Sequence, residues 1–143
     1  MVGLVVTGHG HFATGITSSI DLIAGPQKDY VAVDFDGEGT EKLEKELTAA
    51  YETLKDCTGI IVFSDLAGGS PFKTAALIGA NNPKIKVIAG TNLPMVCEIS
   101  MARTMIDDLD MLVTSALNVG KDGVQLFEIP TIDNGPADGE DGV

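Results

Sequence analysis

Along the chain, short continuous apolar runs take turns with stretches in which apolar residues recur every three or four positions. Residues 2–7, 30–35, 59–64 and 85–89 are rich in β-branched side chains and nearly free of polar alternation, as expected of parallel strands buried on both faces. The stretches between them carry a helical period. Phe12, Ile16, Ile20 and Ile23 form one stripe, and Leu43, Leu47, Ala50, Tyr51 and Leu54 form a second, opposite the charged residues Glu41, Glu44, Lys45 and Glu46. A third helix is expected after Ser70-Pro71, with Ser70 as N-cap and Pro71 as first helical residue. A fourth opens at Pro94 and runs to about Arg103, and a fifth spans Leu109, Leu112, Val113, Ala116, Leu117 and Gly120.

Strand and helix alternating in this way predict one α/β domain over residues 1–129: a doubly wound, mainly parallel sheet with helices on both faces and right-handed crossovers. Residues 124–129 are expected to add a fifth strand at an edge. The connection Lys121-Asp122-Gly123 is too short for a parallel crossover, so that strand runs antiparallel or pairs with another subunit. Residues 130–143 hold turn formers and acids with almost nothing to bury, and are expected to form a flexible acidic tail.

Composition narrows the partners. The 143 residues carry 21 acidic against 9 basic side chains, a net charge of -12, which argues against nucleic acid, whose binding depends on neutralising phosphates with basic groups. The start MVGLVV lacks the pattern of a secretory signal, and no run reaches the ~18 apolar residues of a membrane span; a cytoplasmic location is expected. Cys57 and Cys97 match no metal or redox spacing and are expected to be reduced thiols. Met95 and Met101 are expected to fill gaps in the core.

In an open parallel sheet, ligands bind outside the carboxyl ends of the strands, which singles out four loops. The first, Thr7-Gly8-His9-Gly10-His11, places an imidazole between glycines that permit positive φ and leave the ring uncovered. His11 lies nearer the helix start, where a capping or solvent role suffices. The third, Asp65 to Ser70, contains Gly68 and Gly69, whose bare backbone beside a helix start could bind an oxyanion; no Walker lysine follows. Asp65 could meet His9 across the top of the sheet, fixing the ring tautomer and freeing the other nitrogen as a nucleophile, or it could be satisfied by neighbouring amides. The second loop, DFDGEG, lacks the spacing of a calcium site. His-x-His with Asp65 lacks a further zinc ligand, so neither a metal nor a cofactor is expected. Ser70 with His9 as a hydrolase pair lacks a nucleophile elbow.

Taken together, TGHGHFATGI, FSDLAGGSPFKTAA and IAGTNLPMVCEISMAR resemble the IIA component (EIIA) of the mannose-type sugar phosphotransferase system, in the family's order and over residues 1 to about 129. That resemblance implies a cytoplasmic phosphocarrier whose His9 accepts a phosphoryl group from the small carrier HPr and passes it to a IIB component. It implies that Asp65 orients the ring and that Gly68, Gly69 and Ser70 face the phosphoryl group. It further implies a homodimer that exchanges its last strand, and indirect association with the membrane components IIC and IID. The chain stops after the acidic tail, so a separate IIB is expected. His11-Phe12 departs from the bulky aromatic that many relatives carry after the HG pair. A dihydroxyacetone-kinase phosphocarrier subunit and a non-catalytic phosphometabolite-binding module are the competing readings.

Overall fold

The computed structural model describes residues 1–131. Its elements alternate as the apolar pattern predicts: β1 (Gly3–His9), α1 (Phe12–Ile23), β2 (Tyr30–Phe35), α2 (Glu41–Thr53), β3 (Ile60–Ser64), α3 (Ser70–Gly79), β4 (Ile85–Ile88), α4 (Leu93–Ala102) and α5 (Leu109–Asp122). The four strands form one sheet in the order β2-β1-β3-β4, and every pairing is parallel. Because the chain leaves β1 first to one side and later returns to the other, the switch point lies at the carboxyl ends of β1 and β3.

Alternate residues of β1 feed opposite cores. Leu4 and Val6, with Ile61, Phe63 and Ile88, pack under α1, α4 and α5 through Ile20, Met95, Val96, Ile99 and Leu112. Val5, with Val33, Ile60 and Val62, packs under α2 and α3 through Leu43, Leu47, Leu54 and Ala75. Two covered faces explain the nearly unbroken apolar strands. The helical stripes face the core, with Phe12, Ile16, Leu109 and Val113 half-buried and Ile23 and Leu117 exposed; Tyr51 is half-buried and donates its hydroxyl to Ala75 O at 2.8 Å. Met95 fills the core, whereas Met101 lies on the outer face of α4 and is exposed, contrary to expectation. Both cysteines are free thiols.

Two further expectations differ from the structure. Gly69, not Ser70, occupies the N-cap position of α3, and Ser70 is already helical, so its hydroxyl does not cap the helix. Residues 124–131 form no fifth strand; they leave α5 without regular structure, and Val124, Leu126, Phe127 and Ile129 are exposed. A strand needs an edge to pair with, and the chain leaving α5 meets none among the described residues. Most of the expected tail, residues 132–143, lies outside those residues. No helix among the described residues is long and apolar enough to cross a membrane.

The end of the sheet remote from the switch point is held by Arg103, which is only 2% exposed. Its guanidinium donates to Val2 O at 2.9 Å, Asp29 O at 3.0 Å, Gln27 Oε1 at 3.3 Å and Lys28 O, tying the end of α4 to β1 and to the turn into β2. Planar, multiply donating geometry makes arginine the fit for this place. Truncating it takes the donor from the buried Val2 O and the part-buried Lys28 O and removes a buried side chain, so Arg103→Ala should lower unfolding stability by about 3 kcal/mol in urea titration. A loss within experimental error would show that the carbonyls find other donors.

Candidate functional site

His9 is the last residue of β1 and Asp65 directly follows β3, the neighbouring strand; the register pairs Thr7 with Ser64 and so brings the two side by side. Asp65 Oδ2 accepts from both the backbone N–H and the Nδ1–H of His9, each at 2.8 Å, and its Oδ1 accepts from Leu66 N at 2.7 Å. Partial burial pushes the Asp65 carboxyl upward, but the hydrogen bonds from His9 and Leu66 outweigh it and hold the pKa below its ordinary value. An ionised carboxylate can only accept, so Nδ1 carries the proton and the lone pair is on Nε2. The His9 side chain is 45% exposed, against 14% for Asp65. Phe35 meets the ring edge-on, with centroids 5.6 Å apart. The geometry therefore presents one nucleophilic nitrogen to solvent, with a negative charge behind the ring.

The glycines of the site supply the positive φ and the space expected of them, each at a different position. Only Gly10 of the pair flanking His9 takes a positive φ, 58°. Gly8 provides room: a Cβ there would sit 2.6 Å from the Phe12 ring and 2.9 Å from Asp65 Cγ. Gly69 likewise lies against the imidazole, and a Cβ on it would stand 2.9 Å from His9 Cε1. Its N–H is already donated to Leu66 O at 3.1 Å. Gly68 has φ 81° and turns the chain into α3, whose N-cap makes no side-chain hydrogen bond. By contrast α4 and α5 are capped, through Asn92 to Met95 N and Asp108 to Met111 N. Among the described residues no side chain bonds the first amides of α3, which lie beside the His9 ring, where the helix dipole favours an anion.

A second pair was not anticipated from sequence. Asp34, on β2, accepts from Thr14 N at 3.0 Å, Thr14 Oγ1 at 2.7 Å and His11 Nδ1 at 3.2 Å, and so caps α1 from a neighbouring strand. Asp36 accepts from Glu38 N at 2.8 Å, closing the acidic turn. No group of three or more His, Cys, Asp or Glu side chains among the described residues is placed to hold a metal.

Residues 3–117 match the family model described as EIIA-man, PTS system fructose IIA component. The chain belongs to the mannose-type EIIA family of the sugar phosphotransferase system. It is 31% identical over 133 residues to the mannose-specific EIIAB component of Escherichia coli, a match covering 92% of this chain and 41% of that protein, so the chain spans about two fifths of the relative's length. The fructose-specific EIIA component of Bacillus subtilis is 28% identical, covering 78% of this chain and 77% of that protein. Among solved structures, the mannose/sorbose specific IIA subunit from Enterococcus faecalis superposes with a TM-score of 0.83 at 25% identity, covering 92% of this chain and 98% of that one. The EIIA component from Streptococcus agalactiae gives 0.78 at 32% identity, covering 87% and 96%.

Two measurements probe this EIIA site. Gly69 has φ -73°, open to any residue, and the atom its Cβ would meet is the tip of a movable ring. Gly69→Ala should therefore displace His9 and cost about 1 kcal/mol in urea stability, the worth of the ring hydrogen bond to Asp65, with a shift of the His9 ring resonances in NMR; unchanged resonances would show that the ring does not need this seat. The second measurement concerns acid stability. Since the folded state holds Asp65 below its ordinary 3.8, the carboxylate adds stability above that pH, and the gain is lost as pH falls from there through the lowered pKa. Asp65→Asn should cut the stability lost between pH 5 and about 2, read from urea midpoints; identical acid slopes would contradict the assigned bonding.

Proposed function

We propose that this EIIA chain is a phosphocarrier whose Nε2 of His9 is the covalent acceptor. The observation carrying that reading is the Asp65 carboxylate on Nδ1 at 2.8 Å, which puts the lone pair of the neutral ring on Nε2, in a side chain that is 45% exposed. In the forward step the Nε2 lone pair attacks phosphorus of a phosphohistidine on HPr. The Nε2–P bond forms as the donor's N–P bond breaks, and the donor ring leaves with that bonding pair. The positive charge that develops on the His9 ring is met by Asp65, whose hydrogen bond keeps the Nδ1 proton in place. The first amides of α3, following Gly68 and Gly69 and including Ser70, would receive the phosphoryl oxygens, and Gly69 leaves the ring room to turn toward them. Transfer to a IIB component is the same step in reverse. Little else is required, because phosphoryl transfer between imidazoles depends mainly on positioning and on charge stabilisation.

The exposed ring suits a carrier whose substrates are active sites of other proteins. Membership of the family supports HPr as donor and IIB as acceptor, and with them a cytoplasmic location and indirect association with IIC and IID. Residues 124–129, apolar and exposed here, would pair in a homodimer with a strand edge of the second subunit, which supplies the antiparallel fifth strand the sequence leads one to expect.

With phosphoenolpyruvate, enzyme I, HPr and IIB supplied, His9→Ala should abolish delivery to IIB, and Asp65→Ala should slow it by roughly 10²-fold or more. Full delivery by the His9 variant would overturn the assignment. Calorimetry with inorganic phosphate separates the competing class: tight reversible binding without any covalent label would mark a phosphometabolite-binding module.

A further inference from the structure

Two histidines lie on the same turn, and each has its Nδ1 bonded to an aspartate on, or directly after, one of the two strands that flank β1. Asp65 follows β3 and grips His9; Asp34 lies on β2 and grips His11 at 3.2 Å. The turn between the rings is pinned by Gly10 N donating to Phe35 O at 2.7 Å. Asp34 is held in turn by two bonds from Thr14, so its carboxylate is a fixed reference for the His11 ring. His11 is 93% exposed, and Nδ1 bonded to a carboxylate leaves its Nε2 as the nitrogen with the lone pair. The ring borders a cavity of ≈ 550 Å³ between α1, β2 and α2, lined also by Thr14, Asp34, Lys42 and Glu46.

From this repeated arrangement we infer that His11 is a second phosphoryl acceptor, loaded at Nε2 by the same class of phosphohistidine donor that loads the carrier site. The inference rests on the family's phosphocarrier reading and extends it. The step balances as at His9: the Nε2–P bond forms, the donor's N–P bond breaks with its electron pair going to the donor ring, and the Nδ1 proton stays against Asp34. What differs is the setting of the phosphoryl oxygens. His9 faces an uncapped helix start; His11 faces a cavity where Lys42 is the only lysine or arginine, countered by Asp36 and Glu46. Losing one well-placed donor to an oxyanion costs roughly 10²–10³ in rate, so His11 loads about that much more slowly than His9.

The test is site-resolved mass spectrometry of acid-protected protein after incubation with excess phospho-HPr. Wild type should carry label on both histidines, with His11 lagging. His9→Ala should still take up one slow label, His9→Ala with His11→Ala none, and Asp34→Asn in the His9→Ala background should slow uptake at least ~10-fold further with the circular dichroism unchanged. Label confined to His9 in wild type, together with no label on a folded His9→Ala variant, overturns this inference and leaves His9 as the carrier. Label on His11 alone supports it and overturns the His9 assignment instead.

Discussion

A single carboxylate, Asp65, decides how the site works, because it takes both the backbone and the ring N–H of His9 on one oxygen. The backbone bond holds the carboxylate in place, and the ring bond sets the tautomer and orientation of the imidazole. Together they make Nδ1 a protonated atom and put the lone pair of the neutral ring on Nε2 before any partner arrives. Much of the fold serves that contact. Parallel pairing in the order β2-β1-β3-β4 sets β1 beside β3, and the loop after β4 holds Asp65 from below, with Gly90 N donating to Asp65 O at 3.0 Å and Thr91 N to Ser64 O at 3.1 Å. Gly8 keeps the space through which the carboxylate approaches.

The charge distribution presents a contrast of scales. A chain with net charge -12 repels a phosphoryl group at long range, yet the start of α3 offers dipole and amides at short range. Salt screens the first within about a Debye length of ~8 Å and leaves the second, which acts in contact, largely intact. Under the proposed function, loading the histidine calls for a docked protein donor, whose own surface displaces water from the ring, in preference to a free anion. The acidic surface steers basic partners into that encounter.

Much of this was legible in the sequence. Continuous apolar runs exposed the parallel strands, and the rule for open sheets led to the loops holding His9 and Asp65. What stayed hidden depends on contacts between distant segments. Ser70-Pro71 reads as a capped helix start, and only the backbone at Gly69, φ -73° and ψ 166°, shows the helix beginning one residue earlier with no side-chain cap on its first amides. Asp34 looked like part of an acidic turn because its partners, Thr14 and His11, lie about twenty residues upstream. Arg103 carried no signal as a staple, since a lone cation at a helix end is ordinarily solvated. Residues 124–129 have the composition of a strand, but composition does not say whose edge completes it.

The most direct measurement is the nitrogen assignment of the phosphorylated protein by phosphorus and nitrogen NMR at the His9 ring. The expected spectrum shows phosphorus coupled to Nε2, with the Nδ1 proton retained and protected by Asp65. Phosphorus on Nδ1 of His9, or an unmodified His9 ring in fully loaded protein, would contradict the account.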